Sequence, residues 1–165
     1  LVIVGGADAA RIADVLRERQ VPVIIAGVHR LPVRREDDYD APMRLAADLA
    51  RAGVRFCIAR SGGSFAAAME RNLPYEAATA AAYGLPPEEA LKAITLYPAQ
   101  ILGVADRLGS LQPGRLASFI VTDGDPLETP TTIERIFIQG REVDAGNRQR
   151  RLAEKYRQRY EQMKQ

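Results

Sequence analysis

Short apolar runs alternate with amphipathic segments over the first 60 residues, and this alternation constrains the fold more than any other feature. The runs at 1–4, 21–28 and 54–59 are rich in β-branched residues and have the length of buried strands. The segments at 8–19 and 43–52 carry apolar residues at helical spacing. Because continuous apolar strands must be covered on both faces, the pattern predicts parallel β/α units with helices packed on the sheet.

The composition is that of a globular domain and includes no apolar segment long enough to span a bilayer. Hydrophobic residues make up 47% of the 165 residues, charged residues 27%, and the formal net charge is +2. The single cysteine, Cys57, excludes an internal disulfide and favours a reducing compartment, so we expect a cytoplasmic protein. The chain starts at Leu1 without a signal-peptide pattern or an initiator Met, which favours a fragment or a processed chain.

We expect three parts along the chain. Residues 1–104 contain the β/α units and a mainly helical continuation, and Cys57 is expected in their core. Residues 105–145 contain turn-rich segments and predicted strands of a small β-unit, at 118–122, 133–138 and 141–143.

Residues 146–165 are predicted to form a basic C-terminal helix or tail. Four apolar or aromatic residues recur there at roughly helical spacing: Leu152, Tyr156, Tyr160 and Met163. We expect the helix to lie on a neighbouring element, with Tyr156 and Tyr160 as its contact stripe.

A long ordered motif follows the helical part. Residues 87–103 read PEEALKAITLYPAQILG, residues 106–127 read DRLGSLQPGRLASFIVTDGDPL, and residues 136–143 read IFIQGREV. Together they resemble the amidohydrolase superfamily, with the imidazolonepropionase-like branch as the nearest match. Two positions depart from that pattern: Arg115 stands where Lys is usual, and Ser118 where an acidic residue is common.

The resemblance implies a partial (β/α)8 barrel of the TIM type, made of its last three β/α units, plus strands of a small β-sandwich domain. Members of this family hold zinc or another divalent metal at the carboxyl ends of the barrel strands, where the metal activates a water molecule. The resemblance makes 1–4, 21–28 and 54–60 the sixth, seventh and eighth strands.

The same resemblance implies that the metal ligands are missing from this chain. Ser61 stands at the position of the Asp that follows the eighth strand, and the sixth strand runs into Gly5-Gly6 without a His. A hydroxyl is a poor substitute for a carboxylate, and one His cannot form a His-based metal site. We therefore expect no catalytic residue, no metal ligand and no cofactor in this chain.

Four residues are candidates for substrate binding. His29 follows the seventh strand, where it could contact substrate or transfer protons, or form only a local hydrogen bond. Arg60 and Ser61 could bind an anionic group, or form a turn with a surface charge. Asn72 could face the barrel mouth, and the charged loop 34–40 could cap a site or be solvated.

Two functions from different classes fit these observations. In the first, the complete protein is a metal-dependent hydrolase of C–N bonds in cyclic amides or small peptides, and this chain, inactive alone, supplies scaffold and one pocket wall. In the second, the protein is a non-catalytic homologue that serves ligand binding or assembly. A third hypothesis, a nucleic-acid-binding basic tail, predicts affinity that falls steeply with salt.

The partner expected on physical grounds is another polypeptide. The strand at 1–4 and the strand at 54–59 would have unpaired edges, so we expect the remainder of the barrel or a second copy of the chain to pair with them. A small-molecule substrate is a further expected partner, whereas no nucleic acid and no membrane is expected.

Overall fold

The computed structural model describes residues 1–60 and 68–164, and these residues form a mixed α/β structure. A parallel sheet contains β1 (Ile3–Gly5), β2 (Val23–Ala26) and β3 (Phe56–Ala59), in that order. Ile3 is paired with Val23, and Val23 with Phe56, so consecutive strands are neighbours. The mixed α/β class and the parallel pairing predicted from the sequence are therefore confirmed.

Helices follow the strands and cover one face of this sheet. Short 3-10 turns at Ala9–Ile12 and Glu70–Asn72 precede two of them. The helices in chain order are α1 (Ala13–Glu18), α2 (Ala41–Arg51), α3 (Leu73–Ala82), α4 (Pro87–Ala93) and α5 (Leu96–Ile101).

The alternating burial of side chains along β2 shows which face of the sheet packs on the core. Val23 and Ile25 are fully buried and pack in one apolar cluster with Leu45 and Leu49 of α2. Ile24 points to the other face, because successive strand side chains alternate. The core of the described residues therefore lies between the sheet and its helices.

The opposite face of the sheet carries a row formed by Val4, Ile24 and Cys57, which are aligned across the three strands. We call these residues the Val4 row. Val4 is 71% exposed, whereas Cys57 is buried, as predicted. This face therefore presents apolar surface that the described helices leave partly open.

A second, antiparallel sheet follows the helices and confirms the predicted strands of residues 105–145. It contains β4 (Phe119–Thr122), β5 (Ile133–Ile138) and β6 (Arg141–Val143), in that order. The rings of Phe119 and Phe137 stack across β4 and β5 with centroids 4.6 Å apart. Gln139 and Gly140 form a two-residue turn with positive φ at both positions, the geometry that matches the twist of a hairpin.

The predicted C-terminal helix is present as α6 (Arg148–Gln162). Asn147 caps it, because its side-chain oxygen accepts a 2.9 Å hydrogen bond from the Arg150 amide. The expected contact stripe is wrong within the described residues, since Tyr156 is 50% and Tyr160 62% exposed. The amphipathic pattern identified the helix and one face of it, but no apolar surface of residues 1–60 or 68–147 covers that face.

In the described part of the chain, no helix combines the length and apolar character required to cross a bilayer.

Gly109 gives a test of the packing between the helices and the second sheet. A Cβ atom there would lie 2.7 Å from Ala99 Cβ and 2.8 Å from the Thr95 carbonyl oxygen. Its φ of +89° also disfavours any other residue. We expect Gly109→Ala to lower the free energy of unfolding by about 3 kcal/mol, from strain and overlap together.

Gly114→Ala is the matched control, because φ is +84° there but nothing lies within 4 Å of the added Cβ. We expect it to lose only about 1 kcal/mol. Urea denaturation followed by circular dichroism measures both. Equal losses would show that the close contact at Gly109 is unimportant.

Burial of Cys57 predicts slow chemistry at its thiol. Its side chain is 3% exposed, and burial raises the pKa of the thiol to about 11. At about pH 8 this raised pKa makes the fraction of Cys57 in the thiolate form roughly a hundred-fold lower than that of an ordinary cysteine. Iodoacetamide should therefore label the native chain at least that much more slowly than the urea-unfolded chain. Similar labelling rates in the two states would contradict the burial.

Candidate functional site

A polar cluster lies at the carboxyl ends of β2 and β3, the end at which parallel β/α proteins place their sites. Val28 and His29 follow β2, Arg60 follows β3, and Glu76 reaches them from α3. We call these residues the Glu76 cluster. Its members come from three segments that are far apart in the sequence, so only the fold brings these segments together.

Glu76 is the centre of this cluster. Its side chain is almost completely buried, with a relative exposure of 1%. One carboxylate oxygen, Oε2, accepts the amide hydrogens of Val28 at 2.6 Å and His29 at 3.1 Å. The other, Oε1, accepts from Arg60 Nη1 at 2.5 Å. These donors compensate for the removal of a charged group from water, which would otherwise be costly.

Local sequence explains how Glu76 reaches the strand ends. Pro74 lies in the first turn of α3, where its fixed φ is favourable, and Glu76 follows in the same turn, where a negative charge is stabilised. Ala77 and Ala80 are fully buried, so α3 can lie close to the sheet. Gly27, with φ of +84°, makes the turn after β2 that directs two amide groups toward the carboxylate.

The His29 ring is held by hydrogen bonds on α3. Thr79 donates its hydroxyl hydrogen to the Tyr75 carbonyl oxygen, 2.9 Å away, and so accepts from His29 Nε2 at 2.6 Å. The second ring nitrogen, Nδ1, lies 3.4 Å from Glu76 Oε1. The side chain is 43% exposed, so the ring has a fixed orientation but still faces solvent.

Arg60 presents a guanidinium group that is only partly used by Glu76. Its side chain is 23% exposed. Its Nε atom is buried and has no hydrogen-bond partner among the described residues. Ser61, the other predicted anion-binding residue, lies outside the described residues.

Asn72 is the remaining predicted candidate, and the structure places it beside this cluster without joining it. It ends the 3-10 turn before α3 and occupies the N-cap position of that helix. Its side chain accepts no capping hydrogen bond there. Among the described residues, no hydrogen bond connects the Asn72 side chain to Glu76.

The loop after β2 is fastened to the turn after β1 by four charged residues, which we call the rim network. Arg34 forms a two-pronged ion pair with Asp8 at 2.5 and 2.9 Å. Arg11 donates to Asp37 at 2.7 Å, and Asp37 also accepts from the Arg34 amide at 3.0 Å. The hydrogen bonds from Arg34 lower the pKa of the Asp8 carboxyl. Exposed ion pairs thus connect the charged loop to the turn after β1.

Comparison with known proteins assigns the family. A sequence model of the amidohydrolase family matches residues 7–143. This chain belongs to the amidohydrolase family. The imidazolonepropionase-like branch is confirmed too, because the chain is 34% identical over 105 residues to an imidazolonepropionase from Erwinia tasmaniensis. That match covers 64% of this chain but 20% of the relative, so the chain spans about one fifth of the relative's length.

Solved structures agree with the assignment. An amidohydrolase from Thermotoga maritima superposes with a TM-score of 0.73 at 34% identity, covering 87% of this chain and 37% of that structure. An adenosine deaminase from Xanthomonas campestris, solved with bound zinc, superposes with a TM-score of 0.63 over 99% of this chain and 42% of that structure. At 19% identity the second likeness concerns the fold alone.

The donors of this amidohydrolase-family chain do not fit a divalent metal within residues 1–60 and 68–164. No group of three or more His, Cys, Asp or Glu side chains is placed there to hold one. Both Glu76 oxygens already accept hydrogen bonds, and the His29 nitrogens face Thr79 and Glu76. A zinc site needs about four converging ligands, so this part of the chain does not supply one by itself.

Glu76 is the site residue that the sequence analysis missed. A signal was available, because the inward face of α3 recurs at positions 73, 76, 77 and 80, and a carboxylate occupies one of these core positions. A charged residue at a core position requires a buried partner. His29 and Arg60, both predicted candidates, are the residues whose backbone and side chain provide it.

Glu76→Gln tests the cluster with a change that keeps the shape and removes the charge. The amide lacks the negative charge that pairs with Arg60, and its NH2 group faces donors. We expect the free energy of unfolding to fall by about 3 kcal/mol. Urea denaturation of the purified chain measures this loss.

Glu88→Gln is the matched control, because Glu88 is exposed in the first turn of α4. We expect a loss of less than about 1 kcal/mol. If the two variants lose the same amount, Glu76 does not organise the strand ends.

Proposed function

We propose that this chain is the closing part of a (β/α)8 barrel hydrolase that cleaves C–N bonds in cyclic amides or small peptides. In this proposal β1, β2 and β3 are the last three barrel strands, and the chain supplies scaffold and one wall of the pocket. The family match and the parallel order of the strands support it. The Glu76 cluster carries the proposal, because it builds a rigid, polar wall at the strand ends without forming a hydrolytic centre.

His29 and Arg60 are the substrate-facing residues in this proposal. The ring of His29 is oriented by Thr79 and the guanidinium of Arg60 by Glu76, so both are held in place before a ligand arrives. The guanidinium of Arg60, fixed in this way, can donate to carbonyl or carboxylate oxygens of a small molecule. His29, whose ring nitrogens face Thr79 and Glu76, offers the exposed part of its ring as a contact surface. Ser61 and Asn72 remain predicted members of the same wall.

The remainder of the barrel is the partner we propose for the open side of the sheet. β1 has a neighbour on one side only among the described residues, and Val4 is 71% exposed on the face opposite the helices. Further strands would pair with β1 and cover the Val4 row. A second copy of this chain is the alternative occupant.

Four further expectations remain part of this proposal. Two concern the organisation of the chain: its division into 1–104, 105–145 and 146–165, and a small β-sandwich domain to which β4, β5 and β6 would belong. The other two are the family's divalent metal and the cytoplasmic location. The single cysteine, Cys57, is the feature that supports a reducing compartment. The metal would be held by residues of the complete protein, since the described residues do not converge on one. This chain alone is then inactive.

A non-catalytic homologue that binds a ligand or assembles with a partner is the alternative function. Two features of the sequence favour it: Ser61 at the family's acidic position, and Gly5-Gly6 without a His after the first strand. In that case the complete protein would keep the pocket wall and lack turnover.

The two functions are separated by measuring bound metal and hydrolysis for two preparations. One is the 165-residue chain, and the other is a polypeptide that also contains whatever is encoded upstream of Leu1. The substrates are a panel of cyclic amides and dipeptides. We expect no stoichiometric zinc and no turnover from the chain, and both from the longer polypeptide.

Zinc and turnover in the chain alone would refute our account of the pocket wall. A folded longer polypeptide without turnover on the panel would favour the non-catalytic function. Replacing His29 or Arg60 by Gln in the active preparation should raise KM more than it lowers kcat, because these residues contact substrate rather than the reacting bond.

A further inference from the structure

Helix α6 projects from the structure with all of its side chains exposed. Apart from the Asn147 cap, its one hydrogen bond to the rest of the described chain runs from Arg150 Nη1 to the Ile133 carbonyl oxygen, 3.3 Å away. An isolated helix of 15 residues is marginal in water, so packing against a further surface would stabilise it. The character of its faces indicates which surface.

One face of α6 is an apolar and aromatic stripe. Leu152, Tyr156 and Tyr160 are spaced four residues apart, and Met163 follows at the C-cap. At 100° per residue these four side chains fall within an arc of about 80°. Their exposures are 39%, 50%, 62% and 71%, so the stripe is open along its whole length.

The charges around α6 are arranged relative to this stripe. Cationic residues flank it on both sides, whereas Glu154 and Glu161 lie on the far side of the helix together with Arg150 and Arg151. Glu154 is also paired with Arg157 at 2.8 Å. The flanking cations are Arg148, Lys155 and Arg159 on one side and Arg157 and Lys164 on the other.

These faces exclude some occupants of the stripe. A second copy of α6 would bring the flanking cations of both helices together, which is unfavourable. A nucleic acid would use the cations but not Leu152 or Met163. An anionic lipid surface uses all of them, because cations meet headgroups, tyrosines lie at the interface, and Leu and Met enter the acyl boundary.

We propose that α6 lies on an anionic bilayer surface and attaches this amidohydrolase-family chain to it as a peripheral protein. The expectation that no membrane is a partner rested on the low aromatic content of the chain, but α6 places two of its tyrosines on one exposed face. The proposal does not depend on the hydrolase function. It requires only the surface of α6.

Co-sedimentation with vesicles tests the proposal directly. The 165-residue chain is mixed with vesicles of phosphatidylcholine alone, or of equal parts phosphatidylcholine and phosphatidylglycerol. We expect binding to the anionic vesicles that weakens as salt is raised, and binding at least about ten-fold weaker to the neutral ones.

Two sets of variants separate the contributions of charge and stripe. Replacing Arg148, Lys155 and Arg159 together by Gln should weaken binding on the order of a hundred-fold. Replacing Leu152, Tyr156 and Tyr160 by Gln keeps helix propensity and charge, and should weaken it about ten-fold. Circular dichroism confirms that each variant keeps the fold.

The matched control removes the same charge elsewhere. The three residues replaced are exposed and lie outside α6: Arg19, Arg35 and Arg71. None of them forms a side-chain ion pair among the described residues, so replacing all three by Gln should leave vesicle binding nearly unchanged. Equal binding to neutral vesicles, no binding to anionic ones, or an equal loss in this control would overturn the proposal. Tighter binding to duplex RNA that is insensitive to the Gln replacements in the stripe would overturn it as well.

Discussion

A buried carboxylate connects the segments at the carboxyl ends of the parallel strands. Glu76 comes from α3, but its hydrogen-bond donors come from the turn after β2 and from the end of β3. Because an unpaired buried charge is strongly destabilising, these segments can move apart only at a large cost. The orientation of the His29 ring and of the Arg60 guanidinium depends on this connection. A single side chain therefore links the positions of two strands, one helix and two candidate ligand-binding residues.

The sheet has two faces with different roles. Val23 and Ile25 pack against the helices and provide the apolar core of the described residues. The Val4 row faces the other way, and in the proposed barrel it would face the enclosed space. The thiol of Cys57 in this row is buried and has a raised pKa. Its environment makes it a packing residue and not a nucleophile.

The elements were predictable from sequence where local periodicity determines them. The apolar run that contains β2, the strands β4 to β6 and the helix α6 were all visible as patterns. The pattern of α3 also places Glu76 on its inward face, but the partners of Glu76 were not predictable. Val28 and His29 lie 48 and 47 residues away, and only the fold brings them near. The contact of α6 was predicted wrongly for a related physical reason. Periodicity shows that a helix has an apolar face, but it carries no information about what covers that face.

The rim network has a consequence for how a ligand would be received. The four residues of this network join two loops that follow different strands, so the fold itself holds these loops relative to each other. Ordering flexible loops at the moment of binding reduces affinity, because the lost conformational entropy opposes association. Here that loss occurs during folding. The loop that Arg34 and Asp37 connect begins directly after His29, so a small molecule bound there, as proposed, would meet loops already held together, and its selectivity would depend on how well it fits between them.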